Sequence, residues 1–151
     1  DVAREMVRVT RPGGRIVMGN WIPGDPTLVA QILKISAAYT PPPPEGFISP
    51  VSWGVEDNVR ERFGQAGVRP EDISCERATY VFRHDGPPSE FVAAFRTYYG
   101  PTMNAFEAAA KDGRDGQLEE ELTALFEAQN QGIAGRTEIP ATYLKVVVAR
   151  S

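Results

Sequence analysis

The chain is organised around the stretch Thr10-Arg11-Pro12-Gly13-Gly14-Arg15-Ile16-Val17-Met18-Gly19-Asn20-Trp21. Pro12 disfavours helical geometry at Arg11, and the two glycines after it permit backbone angles that other residues resist. Residues 15–18 are partly β-branched and bounded by turn residues, as is typical of a strand covered on both faces. The stretch therefore predicts the end of a helix, a turn and a buried strand.

The elements on either side complete the prediction of fold class. Val2, Met6 and Val9 recur at helical spacing, so residues 1–9 are predicted to form an amphipathic helix that buries this stripe. A helix, a turn and an apolar strand make an α/β unit, which predicts an α/β fold. Residues 72–83 alternate loosely between apolar and polar, which is typical of an edge strand, and the β-rich run 142–150 is the last predicted strand.

One segment resembles a known family. The segment Glu5-Met6-Val7-Arg8-Val9-Thr10-Arg11-Pro12-Gly13-Gly14-Arg15-Ile16-Val17 resembles the lead into the fifth strand of class I methyltransferases that use S-adenosylmethionine, specifically the type 11 or ubiquinone-biosynthesis-like branch. That family usually has Leu and Lys where this chain has Thr10 and Arg11. The resemblance implies that the chain is the C-terminal part of a Rossmann-like methyltransferase sheet with helical insertions. It also implies three strands in the spatial order first, last, middle, with the last one antiparallel.

The resemblance assigns parts of the chain to roles. Residues 1–151 would form the C-terminal part of the methyltransferase domain, with residues 22–54 as a lid-like loop and helix and residues 87–132 as a helical insertion. The segment Phe91-Val92-Ala93-Ala94-Phe95-Arg96-Thr97-Tyr98-Tyr99-Gly100-Pro101-Thr102 is similar to that insertion. Tyr98 and Tyr99 then become candidates for the substrate side. The apolar stripe of this helix is either Phe91, Phe95 and Tyr98 or Val92, Phe95 and Tyr99.

The implied cofactor is S-adenosylmethionine. In this family a Gly-rich turn after the first strand and an acidic residue ending the second hold it, and we expect both to lie before Asp1, because the chain starts in mid-helix without an initiator Met. An independent small domain with a processed first residue is the alternative. Asn20 is the cofactor-binding candidate within this chain, and we expect the isolated chain to lack methyltransferase activity.

Composition excludes several classes of function. A net charge of -4 and the absence of a basic run disfavour nucleic acid as a partner. No apolar run approaches the roughly 20 residues that span a bilayer. Cys75 is the only cysteine, so no intrachain disulfide is possible, which predicts a reducing, cytoplasmic location. His84 is the only histidine, so the paired ligands of a zinc site are missing and no metal is expected.

The candidate substrate-binding residues are mostly aromatic. Ligands of open α/β sheets bind beyond the carboxyl ends of strands, where Trp21 is expected, although a hydrophobic plug under the next helix is the alternative for it. Tyr39 follows that helix, and Phe47 and Trp53 belong to a long loop of the kind that often closes over a substrate. We expect this loop to pack; a docking segment for another protein at the proline run 41–44 is the competing interpretation.

His84 ends the predicted strand 72–83 and is a further candidate. Imidazole titrates near neutral pH, so a general base is conceivable, but a loop residue or a substrate contact is the commoner role for a lone histidine at a strand end. No residue is assigned as catalytic.

Two functions of different classes follow. The first is the C-terminal portion of an S-adenosylmethionine-dependent methyltransferase acting on a small, partly apolar molecule. The second is a non-catalytic ligand-binding or oligomerisation module. A homodimer is compatible with either one, because an unpaired outer edge of the first strand would invite association.

Overall fold

A computed structural model describes residues 2–151, so the predicted helical residue Asp1 lies outside the described part. Most of the predicted elements are present, with shifted ends. In chain order they are α1 (Val2–Val9), β1 (Arg15–Trp21), α2 (Leu28–Ala37), a 3₁₀ helix (Pro50–Gly54), α3 (Glu56–Gln65), a second 3₁₀ helix (Pro70–Asp72), β2 (Ile73–His84), α4 (Pro88–Tyr98), α5 (Gly100–Lys111), α6 (Asp115–Gln129) and β3 (Thr137–Ala149).

The three strands form one antiparallel sheet in the spatial order β1-β3-β2. Arg15 lies opposite Ala149 and Trp21 opposite Tyr143. The predicted α/β class and the predicted order first, last, middle are confirmed. β3 begins at Thr137, before the predicted start of the strand at residue 142.

The chain divides into two compact units. The first consists of residues up to Pro23, Ile48–Thr79 and Thr142–Ser151, and the second of Gly24–Phe47 and Tyr80–Ala141. β2 and β3 each contribute residues to both units.

The core of the first unit joins α1, α3 and the strands. Its buried residues are Ala3, Val59, Phe63, Ile73, Leu144, Val146 and Val148. Of the predicted buried stripe of α1, Met6 packs against this core, but Val2 and Val9 are 56% and 65% exposed and Ala3 is buried instead. α1 packs against α3, and the small side chain of Ala3 permits that close approach.

In the second unit, α2, α4, α5 and α6 pack on one another. Their fully buried side chains include Leu28, Val29, Ile32, Val92, Leu118, Leu122 and Phe126. Of the two stripes considered for α4, the one through Val92, Phe95 and Tyr99 is correct, because Tyr98 is 84% exposed. Among residues 2–151, none of the helices combines the length and the apolarity that crossing a bilayer requires.

Two exposed features complete the description. β1 is an edge strand within the described sheet, and Val17 on it is 61% exposed. Residues 41–50 are all exposed, so the expectation that the proline-containing loop packs is wrong for this segment. Consecutive prolines favour an extended backbone without internal hydrogen bonds, which leaves such a segment few ways to fold back onto a core.

Candidate functional site

The first unit contains a cleft of about 400 Å³ between the start of α1, the 3₁₀ helix Pro50–Gly54 and α3. It is lined by Val2, Ala3, Arg4, Ile48, Ser49, Pro50, Trp53, Arg62 and Gln65. A volume of this size falls within the range of small-molecule pockets. Trp53 is the predicted binding candidate that lines it.

A close backbone approach holds the 3₁₀ helix in place. This helix packs against β1, and a Cβ atom built on Gly54 would lie 1.9 Å from the carbonyl oxygen of Trp21. Only glycine permits this approach, because any side chain would overlap the backbone of β1. Gly54 therefore fixes the position of its neighbour Trp53 relative to the end of β1.

Arg62 and Trp53 form the polar and aromatic part of the cleft wall. The guanidinium carbon of Arg62 lies 4.4 Å from the centroid of the Trp53 ring, a cation–π arrangement. Trp53 also contacts Phe63 edge to face, with ring centroids 6.0 Å apart. Arg62 Nη2 donates a hydrogen bond to Ser52 Oγ at 2.7 Å.

A second hydrogen bond steadies the same wall. Asn58 Nδ2 donates to the carbonyl oxygen of Ser52 at 3.1 Å, so two side chains of α3 hold this residue of the 3₁₀ helix. The guanidinium of Arg62 is therefore oriented before any ligand arrives.

One nitrogen of Arg62 has no acceptor. Nη1 is buried, and it makes no hydrogen bond within the described residues. A buried guanidinium nitrogen without an acceptor is costly, because water has been lost and nothing replaces it. Arg62 lines the cleft, so its positive charge would attract an anionic group placed there.

The end of β1 carries the other predicted candidates of this unit. Trp21 packs edge-to-face on Tyr143, with ring centroids 6.2 Å apart. Asn20 Nδ2 is buried without a hydrogen-bond partner in residues 2–151, so it could donate to a ligand atom beyond the strand.

One donor does not make a cofactor site. β1 is followed by Ile22-Pro23-Gly24 rather than by a Gly-rich turn, and the nearby buried carboxylate of Asp25 already accepts hydrogen bonds from the backbone nitrogen and the hydroxyl of Thr27. The residues present therefore do not form a complete site for S-adenosylmethionine.

His84 lies in the second unit, at the end of β2. Its ring stacks on Phe91 of α4, with centroids 5.2 Å apart and planes 5° apart. Nε2 is buried, forms no hydrogen bond within the described chain and lies 3.7 Å from a carboxylate oxygen of Glu90. These contacts give His84 a packing role between β2 and α4.

Tyr39 and Tyr99 are held by different contacts within the second unit. Tyr39 is buried, its hydroxyl donates to Glu121 Oε1 at 2.8 Å, and Arg114 lies over its ring at 4.4 Å. Burial, and next the contact with Glu121, raise the pKa of Tyr39. Tyr99 packs on Phe95 at 5.4 Å, and burial raises the pKa of its hydroxyl as well.

The other two candidates of this unit are surface residues. Phe47 is 53% exposed in the loop after α2, and Tyr98 is the most exposed large apolar side chain of the described chain, at 84%. Both are accessible to a partner, and neither side chain is fixed by a ring contact that the structure shows.

Metal and thiol chemistry find little support in residues 2–151. No group of three or more His, Cys, Asp and Glu side chains there is arranged to hold a metal ion. Burial, and next the carboxylate of Glu56, raise the pKa of Cys75, which keeps the thiol protonated at neutral pH.

The candidate residues thus belong to two different units of the structure. Trp53 lines the cleft, whereas Tyr39, His84 and Tyr99 belong to the helical second unit. Arg62 was missed, because an arginine on an amphipathic helix is usually a solvated residue. The signal available in the sequence was its place directly before the buried Phe63, at the margin of the apolar face.

The chain is similar to three uncharacterized mycobacterial proteins, one from Mycobacterium bovis and two from strains of Mycobacterium tuberculosis. Each is 33% identical over 108 residues, which make up 72% of this chain and 38% of the relative. The match therefore spans well under half the length of these relatives. No family model matches the chain.

Proposed function

We propose that this chain is the C-terminal portion of a class I methyltransferase that uses S-adenosylmethionine and acts on a small, partly apolar molecule. The observation that carries the proposal is the sheet order β1-β3-β2 with β3 antiparallel to β1. This is the order that the resemblance of segment 5–17 implied before the fold was known. The six α-helices within residues 2–151, three of them in the predicted insertion, add support.

Under this proposal the chain supplies the substrate side of the enzyme. The cofactor supplies the methyl group when bound. Trp53 and Ile48 would exclude water from an apolar acceptor, and alignment of the reactants accounts for much of the rate of such a transfer. Asn20 would donate a hydrogen bond to a ligand at the carboxyl end of β1.

The length of the relatives is compatible with a substrate-binding part in this chain and a cofactor-binding part elsewhere in the protein. The matched segment covers 38% of each mycobacterial protein, so those proteins have ample further sequence for a cofactor-binding part. In this proposal the Gly-rich turn and the acidic residue lie in such a part. We also expect the protein to be cytoplasmic and to form a homodimer.

Sequencing the DNA upstream of the codon for Asp1, over roughly 150 codons or about one domain length, tests the proposal. The expected result is a strand followed by a Gly-rich turn and then an acidic residue about 20 positions further on, as in nucleotide-binding α/β folds. A start codon directly before Asp1, or an unrelated upstream domain, would remove the proposed cofactor site.

The second candidate, a non-catalytic ligand-binding module, is favoured by one observation. All the described residues that line the cleft belong to the first unit of this chain, which supports a ligand-binding role for this unit. An upstream sequence without a cofactor motif, together with ligand binding by this chain, would make it the better account.

A further inference from the structure

The cleft at Trp53 combines features that select a particular kind of ligand. Its walls are apolar at Val2, Ile48 and Pro50, aromatic at Trp53 and cationic at Arg4 and Arg62, and no carboxylate is among the lining residues described. An acidic ligand would therefore meet positive charge from Arg4 and Arg62.

Arg62 determines where the charge of that ligand would lie. Its Nη2 is committed to Ser52 Oγ at 2.7 Å, and its guanidinium face is committed to Trp53. Its Nη1 is buried and has no acceptor within residues 2–151, so no carboxylate of the described residues neutralises the charge of Arg62 at that nitrogen. An arginine stays charged at any physiological pH, so this preference does not depend on a titration.

The geometry points to a binding site for a small apolar carboxylate in this cleft. We infer that the guanidinium of Arg62, which lines the cleft, pairs with the carboxylate while the apolar body of the ligand lies against Trp53 and Ile48. Arginine pairs with carboxylates through short, charge-assisted hydrogen bonds, which suits an acidic group at this wall. This inference names the ligand class of the cleft to which the proposed function assigns the acceptor, and it does not require a cofactor.

The preorganisation of the site strengthens the inference. The stacked Trp53 and the hydrogen bonds to Ser52 already fix the guanidinium, so little side-chain freedom remains to be lost on binding. The cleft of about 400 Å³ is large enough for an aryl or a medium-length alkyl carboxylate.

A matched pair of ligands tests the charge requirement on the unaltered 151-residue chain. We would titrate 3-phenylpropionate and its neutral analogue 3-phenylpropanamide, following tryptophan fluorescence and heat. Trp53 is one of two tryptophans, so quenching by a ligand in the cleft is readily detected. The expected result is binding of the acid that is at least about tenfold tighter than binding of the amide, which is the typical gain from a charge-assisted hydrogen bond.

Variants test the residue. Arg62→Gln is expected to weaken binding of 3-phenylpropionate at least about tenfold and to leave binding of the amide nearly unchanged. Arg11→Gln is the matched control, because it removes the same charge from an exposed residue of the same unit and should bind as the parent chain does. Thermal unfolding of each variant shows whether it is folded.

A further variant covers the case in which Arg62→Gln does not fold. Ile48 is 74% exposed, so Ile48→Asp should fold, and a carboxylate at the rim of the cleft should weaken binding of the acid more than binding of the amide. Equal affinity for acid and amide, undiminished binding of the acid by folded Arg62→Gln, or no binding of either ligand at millimolar concentration would each overturn the inference.

Discussion

Replacing the buried Gly54 by alanine should destabilise the protein. The loss should exceed that from the same replacement at the exposed and half-buried glycines of the first unit. A Cβ atom at this position would lie 1.9 Å from the carbonyl oxygen of Trp21 and 2.7 Å from its carbonyl carbon. Real Cβ atoms essentially never come within 3.0 Å of such atoms, so the overlap exceeds 1 Å. Both clashing atoms belong to the backbone of β1 and cannot rotate away.

The size of the effect follows from what has to move. Either the end of β1 or the 3₁₀ helix Pro50–Gly54 must shift by about 1 Å, and strain of this kind typically costs about 1–3 kcal/mol. Such a cost is a large part of the roughly 5–15 kcal/mol that stabilises a domain. The shift also displaces Trp53, so ligand binding in the cleft should fall together with stability.

Urea unfolding, followed by circular dichroism, measures the effect. Gly64→Ala is the matched control, because Gly64 lies within α3 with nothing within 4 Å of an added Cβ. There alanine should stabilise the chain by about 0.5–1 kcal/mol through its helix propensity. The reasoning is refuted if Gly54→Ala changes the free energy of unfolding by less than about 0.5 kcal/mol, since a loss of at least about 1 kcal/mol is expected from overpacking.

Three further predictions concern other parts of the chain. Thr102→Val should leave stability unchanged or raise it, because this fully buried hydroxyl has no hydrogen-bond partner within the described residues. Thr137→Val should instead cost about 1–2 kcal/mol, because it removes the donor to the carbonyl oxygen of Gly86. Urea unfolding measures both changes in the free energy of unfolding. The raised pKa of Tyr99 means that the folded chain favours its neutral form, so stability present below about pH 10 is lost as the pH rises through the folded pKa, and Tyr99→Phe should flatten this alkaline loss in unfolding measurements. Val17→Lys should reduce concentration-dependent self-association of the isolated chain in light scattering, because Val17 is 61% exposed on the edge strand β1; equal scattering by both chains would contradict this.

Local sequence signals account for the position of the elements. The Pro-Gly-Gly turn before β1 was predictable, because glycine is the residue that readily adopts positive φ angles. In the structure Gly13 has a φ of 74°. The structure adds that the turn is tied to the end of β3, since the backbone nitrogen of Gly13 donates to the carbonyl oxygen of Arg150 at 2.7 Å. The order of the strands came from the resemblance of the segment before β1 and not from periodicity.

Choices between overlapping helix faces could not be made from the sequence. α1 offers one stripe through Val2 and Val9 and another through Ala3, and the apolar spacing favours the first. The second is buried, because α1 approaches α3 closely and a small residue suits that contact. The side chain that a neighbouring helix covers is a long-range property, and one helix does not encode it.

The cleft could not be predicted from the sequence for the same reason. Trp53 could be named as an aromatic residue in a long loop, but Arg62 gains its role only because the backbone of Gly54 meets β1 and brings Trp53 beneath the guanidinium. That approach joins residues that are distant in the sequence. No local pattern around residue 62 reports it.

Calorimetric titration with S-adenosylhomocysteine tests the central proposal most directly. The titration is made on the 151-residue chain and on the protein encoded by the complete reading frame that contains it. If the chain is the substrate side of a methyltransferase, the complete protein binds the ligand with an affinity that calorimetry resolves, and the chain alone does not. Absence of binding by the folded complete protein would contradict the assignment to this family, and tight binding by the chain alone would contradict the proposal that the main cofactor site lies outside it.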